Sequence, residues 1–380
     1  MAEDDKPRGE PAVKAKAKIP NAKNIRSPQF TPHGISAGRG SGLGRPSGLT
    51  AAQARKRRRW MIAGFVVAAL AIAGGTTYLV TRPGPEISVS GRFGAEPKVT
   101  IPEKLLPGKK LVVTTPIRGT GPKIADGDTM YVKFVFYSWS KDASDENGKK
   151  SAHKKIGSSY EQQQGQQDRP LVVGKSGLKG LDKGLVGQTA GSRVLLQIPP
   201  SQGFGDQASQ YGMGKDDSVV MVVDVQATVG KNAAPQGTAK KQNDKNLPKV
   251  EDQGAGKAPK VTIPKVDAPG KLAVTTLVEG TGPALAKNDE AVVNYQGQIW
   301  KGGKIFDSSW QSGTPAKFPI GTGGTVPGFD KGLTGAKVGS RLMLVLPPKE
   351  GYGKGGNEAA GIKGTDTLVF IVDVVAKVQK

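Results

Sequence analysis

The chain has 380 residues, no cysteine and two histidines, and its 55 Lys and Arg outnumber 32 Asp and Glu to give a formal charge of +23. Disulfides, thiolate nucleophiles and thiolate metal sites are therefore excluded. With only His33 and His153, a histidine-based triad or a multi-histidine metal site has no material, and neither a metal nor a cofactor is expected.

Residues 1–59 carry +10 of the charge and are rich in Lys, Arg, Gly, Pro, Ser and Ala without apolar periodicity. Such a segment cannot bury enough surface to fold alone, so a disordered basic tail is expected. One aromatic, Phe30, offers no stacking platform, and nucleic-acid binding is not expected. RKRRRW from Arg55 then leads into an uncharged run over residues 60–80. At about 1.5 Å per residue a helix of that length crosses the hydrocarbon core. The five basic residues before it predict a cytoplasmic N-terminus, with Trp60 and Tyr78 at the interfaces. A cleavable signal peptide ending near Ala69-Leu70-Ala71 is the competing reading, although its leading region would be far longer than usual. Both readings put the rest of the chain outside the cytoplasm.

Residues 81–108 read as a Pro/Gly-punctuated stalk. Beyond it the chain repeats itself: LVVTTPIRGTGP from Leu111 returns as LAVTTLVEGTGP from Leu272, and GLDKGLVGQTAGSRVLLQIPPSQGFG from Gly180 as GFDKGLTGAKVGSRLMLVLPPKEGYG from Gly328. The repeated unit is a domain, spanning 109–229 and 259–380. Residues 230–258, rich in Lys, Gln, Asn, Gly and Pro, read as a flexible linker. In the second copy, 291–299, 341–346 and 367–375 are Val, Ile and Leu-rich runs bounded by Gly, Pro and Asp, which predicts antiparallel strands. The one helix signal is a short segment around Phe329 to Leu333, after Pro327-Gly328. The expected fold class is α+β, with two tandem antiparallel half-barrels, each around a short helix.

In the second copy VVNYQG at Val292, KIFDSS at Lys304, TVPGFDKGL at Thr325, PPKEGYG at Pro347 and DTLVFIVDV at Asp366 occur in order. This ordered set resembles the FKBP-type peptidyl-prolyl isomerases over about residues 270–380. The resemblance implies a proline pocket walled by Tyr295, Phe306, Asp307, Phe318, Val326, Phe329, Tyr352, Ile362 and Phe370. Asp307, Tyr352 and Phe329 are its implied catalytic groups. Asp307 would orient the site, the Tyr352 hydroxyl and a backbone N–H near Ile362 would donate to the peptide, and Phe329 would form the floor. Proline-containing polypeptides are the implied substrates and macrolide inhibitors the implied ligands. Taken singly, the aromatics could be core residues, and Asp307 could cap the Ser308-Ser309 turn. The family's usual arginine after the DSS string is Ser312 here.

Rotation about an X-Pro bond faces a barrier near ~20 kcal/mol but breaks no covalent bond, so a chain without thiol or imidazole can catalyse it. The first copy keeps the framework and changes the pocket letters. Phe134 stands for Tyr295, Ile156 for Phe306, Gly157 for Asp307, Leu171 for Phe318, Leu181 for Phe329, Phe204 for Tyr352 and Met221 for Phe370. That copy is expected to be weakly active or inactive, serving as a peptide-binding or spacer module. The sequence thus predicts a membrane-anchored isomerase for exported proteins, or else a non-catalytic chaperone or adaptor.

Overall fold

The computed structural model describes residues 84–161 and 170–380. The expected basic tail and membrane-spanning helix lie outside them, and among the described residues no helix is long and apolar enough to cross a membrane. The described chain is mostly antiparallel sheet with few helices.

The first copy begins with a hairpin of β1 (Ser88–Ser90) and β2 (Lys98–Thr100). After it come β3 (Val112–Ile117), β4 (Thr129–Lys141), β5 (Ser151–Ser158), β6 (Leu171–Val172), helix α1 (Lys179–Leu185), β7 (Arg193–Ile198) and β8 (Ser218–Val229). Their sheet runs β3-β7-β8-β4-β5, with β6 on β4. Next come β9 (Gly237–Ala239) and a second hairpin, β10 (Lys249–Glu251) with β11 (Lys260–Thr262). The second copy comprises β12 (Ala273–Gly280), β13 (Glu290–Ile299), β14 (Ile305–Ser308), the turn α2 (Ser309–Ser312), β15 (Ala316–Pro319), α3 (Pro327–Leu333), β16 (Arg341–Leu346) and β17 (Leu368–Lys377). Its order is β14-β13-β17-β16-β12-β9, with β15 on β13. The strands and the short helix expected from the sequence all form.

Strand alternation divides the side chains between two faces. On β16 and β17, Leu342, Leu344, Leu346, Phe370, Val372 and Val374 face one core beneath α3. Met343, Val345, Val369 and Ile371 face a second, closed by Val250 and Val261 of the β10–β11 hairpin. The first copy repeats this with Val89 and Val99 of its hairpin against Leu195, Val220 and Val222. Helices α1 and α3 each approach their sheet through two glycines. A Cβ on Gly328 would lie 2.6 Å from Leu346 Cγ, and one on Gly332 2.7 Å from Leu344 Cδ2.

Two expectations are corrected. Residues 230–258 are no flexible linker: Lys240 N–H donates to Leu277 O at 2.8 Å beside the β9–β12 pairing, and Leu247 and Val250 pack into the second copy. The stalk, from residue 84 onward, is likewise packed structure. Arg193, buried against Asp224 at 2.6 Å, also donates to the carbonyls of Gly91, Arg92 and Ala95 in the hairpin turn. The few apolar residues in these polar stretches suffice because the sheet behind them is already apolar.

The copies meet through Tyr131, Ala227 and Val229 of the first and Val292 and Val378 of the second. Tyr131 pairs with Ala227 across β4–β8 as Val292 pairs with Ala376 across β13–β17, and both ladders bulge just after that residue. Corresponding positions of the two copies thus face each other. The C-terminus completes the joint, with Gln379 N–H donating to Gln226 O at 2.9 Å.

Candidate active site

A cleft of about 410 Å³ opens over α3 in the second copy. Alternation on β13 and β17 turns Tyr295 and Phe370 into it, β14 supplies Phe306 and Asp307, β15 supplies Phe318, and the start of α3 supplies Val326 and Phe329. Tyr352 enters from the loop after β16. The rings contact edge to face: Phe318–Phe329 at 5.2 Å, Phe329–Phe370 at 5.3 Å, Phe306–Phe370 at 5.5 Å and Tyr295–Phe318 at 5.6 Å. Such pairs prefer tilted geometry and lock each other's orientation. Phe329 is buried at the floor and Tyr352 is 38% exposed at the rim.

The polar groups are few. Tyr295 Oη donates to Asp307 Oδ2, so Asp307 is tied to the cleft wall and does not cap the following turn, whose Ser308 N-cap has no side-chain bond. Burial, reinforced by that bond, raises the Tyr295 pKa above the usual phenol range. Ser309 Oγ accepts from Tyr295 N–H at 2.8 Å and fixes the backbone beneath the ring. Among the described residues the Tyr352 hydroxyl makes no hydrogen bond, although it stands close enough to Tyr295 to interact with it electrostatically.

The structure brings together eight of the nine residues singled out by sequence and leaves out Ile362. That side chain is 4% exposed and packs in the same apolar cluster as Phe329 and Phe370, while its N–H donates to Asn357 O at 2.9 Å. Ile362 is therefore neither wall nor free donor. Val326 N–H, at the N-cap of α3 on the cleft wall, has no acceptor among the described residues and is the available backbone donor.

Sequence reasoning missed three further features. Thr325 lines the cleft, and its Oγ1 is buried without a hydrogen-bond partner among the described residues. Asp330, buried on α3, accepts from Gly321 N–H and, at 2.9 Å, from Gly323 N–H, fixing the glycine loop at the rim. Gly297 is required by packing, since a Cβ there would meet Phe306 Cζ at 2.4 Å.

In the first copy the corresponding cavity is about 160 Å³, lined in part by Phe134, Leu171, Leu181, Phe204 and Met221. Ile156 packs beside it in the core. The cause of the shrinkage is an exchange across one strand pair. Gly297 opposes Asp307 on β13–β14, whereas Phe136 opposes Gly157 on β4–β5. The Phe136 ring occupies the freed space, tilted on Phe204 at 5.8 Å, and a Cβ on Gly157 would lie 2.9 Å from Phe136 Cε1. Asp182, the counterpart of Asp330, has a buried Oδ1 with no hydrogen-bond partner among the described residues.

Two half-barrels, each closed over one short helix and one of them holding an open aromatic cleft, define a tandem protein built on a single isomerase fold. The family model for FKBP-type peptidyl-prolyl cis-trans isomerase matches residues 121–226 and 282–375, and the chain belongs to that family. It is similar to an FK506-binding protein of Streptomyces anulatus, 37% identical over 118 residues that cover 31% of this chain and 95% of that protein. A probable FK506-binding protein of Corynebacterium glutamicum is 35% identical, over 31% of this chain and 97% of that one. Among solved structures, FkpA from Escherichia coli is 37% identical with a TM-score of 0.26, covering 28% of this chain and 48% of that chain.

Proposed function

We propose that the second copy is the catalytic unit of this peptidyl-prolyl isomerase and that it assists the folding of exported proteins at a membrane surface. The observation that carries the first part is the contrast between the open cleft bearing the Tyr295–Asp307 bond and the smaller counterpart narrowed by Phe136. A twisted X-Pro amide loses resonance and charge separation, so an apolar aromatic cavity favours it over the planar ground state. Each ~1.4 kcal/mol of that preference is tenfold in rate. Val326 N–H and the Tyr352 hydroxyl are positioned to donate to the peptide carbonyls, and Thr325 Oγ1 adds a third polar group at the wall. Asp307, held by Tyr295, orients the polar edge of the site.

The membrane part of the reading is supported by the uncharged run at 60–80 and the basic residues before it. In this reading residues 1–59 lie on the cytoplasmic side, residues 60–80 anchor the chain in the membrane once, and both copies lie outside the cytoplasm. Proline-containing segments of newly exported chains are the substrates, and macrolides compete for the same cleft. The first copy acts as a peptide-holding or spacer module.

Isomerisation of a short proline peptide by the full chain tests the catalytic assignment. Asp307→Ala and Tyr352→Phe are expected to lower kcat/KM by about tenfold each, the effect of losing one well-placed polar group. Unchanged rates for both would remove the cleft from the mechanism.

A further inference from the structure

Tyr131 lies in the first copy, 2% exposed, in the joint between the copies. Its ring packs with Ala227, Val229, Val292 and Val378, and its Oη donates to Pro315 O in the second copy at 2.5 Å. Pro315 is the residue before β15. β15 has four residues and one strand neighbour, β13, to which it pairs through Ala316, Lys317, Phe318 and Pro319. Phe318, three residues beyond Pro315, is the cleft wall that contacts both Tyr295 and Phe329. The hydroxyl of the first copy is thus bonded to the entry of the short edge strand that carries part of the second copy's pocket.

Packing alone does not call for a tyrosine here. Val292, at the corresponding position of the second copy, fills the same joint without a polar atom. The hydroxyl is the feature that distinguishes the two positions, and its partner is on the cleft's own strand. A short edge strand held along one side shifts readily at its free end, and a bond from a buried, well-packed ring removes that freedom. We propose that Tyr131 is a positioning residue for the isomerase cleft: through Pro315 it fixes β15 and sets where Phe318 stands, so that the inactive copy serves as a brace for the active one. This rests on the assignment of the second-copy cleft as the catalytic site.

The test is Tyr131→Phe in the full chain, which keeps the ring and removes the hydroxyl, assayed beside Asp307→Ala on one proline peptide with kcat and KM resolved. Phe318 is a binding wall, so KM is expected to rise by about threefold to tenfold, the worth of one hydrogen bond, with kcat nearly unchanged. The thermal midpoint should move little, which separates loss of positioning from loss of fold. If Asp307→Ala loses activity while Tyr131→Phe keeps the parent KM, the brace is refuted and the cleft assignment stands. If Asp307→Ala has no effect, the cleft assignment fails and the brace with it.

Discussion

Gly297 and Phe136 occupy the same place in two copies of one fold, and the cavity beside the benzyl group is much smaller than the cleft beside the hydrogen. In the second copy Gly297 leaves room for Phe306 to stand edge to face on Phe370. Gly297→Ala would drive a methyl into the Phe306 ring, and overpacking of this kind costs about 1–3 kcal/mol. We expect it to lower kcat/KM by about tenfold or more, measured on a proline peptide well below the unfolding temperature. The ionisable groups make a second prediction at this scale. The cleft contains no imidazole or thiol, and burial with the Asp307 bond raises the Tyr295 pKa, so its phenol stays neutral until well above the usual value. Between about pH 6 and about pH 9, kcat/KM should be flat; a titrating limb inside that window would mean that a proton moves in the reaction. The aromatic set was legible because its residues recur in order along the chain. The glycine exchange was not, because it becomes visible only when strand register puts Gly297 opposite Asp307 and Phe136 opposite Gly157.

Asp330 links a helix to a loop, and among the described residues the first copy has no matching link. Its carboxylate gathers the N–H groups of Gly321 and Gly323, holding Gly323 and Gly324 at the rim of the cleft. Asp330→Ala should free that loop, raising KM by about fivefold with a stability loss of about 1–3 kcal/mol, read by steady-state kinetics and chemical denaturation. Asp182→Ala, where the matching carboxylate oxygen is orphaned, should cost less. Strands β16 and β17 were legible from their apolar runs, but those runs carried a further signal. RLMLVL is buried at every position, which a half-barrel with one open face does not require. The continuous pattern marks a sheet covered on both sides, and the cover comes from the two hairpins that composition had marked as stalk and linker. The edges differ too. β9 covers β12 near Leu277, whereas Pro116 stands at the matching point of β3, where no strand is added among the described residues. A proline there discourages further pairing.

At the scale of the molecule, duplication has given two copies with one framework and pockets of different size. Their joint uses corresponding positions on both sides, as a symmetric dimer interface would, but within one chain. The ordered segment 230–258 and the C-terminal Gln379 bond tie the copies together. The repeat was plain in the sequence; the joint was not, because Tyr131 and Val292 look like ordinary strand residues, and Val378 like a residue of the tail after β17, until both copies are in view. The central claim is that catalysis belongs to the second cleft alone. The full chain carrying Gly297→Phe with Asp307→Gly tests it most directly, because it installs in the second copy the Phe–Gly pair that the first copy already packs. The fold should therefore persist, judged by an unchanged circular dichroism spectrum, while kcat/KM on a proline peptide falls by about a hundredfold or more toward the spontaneous rate. Retention of half or more of the activity would put catalysis in the first copy and contradict the account.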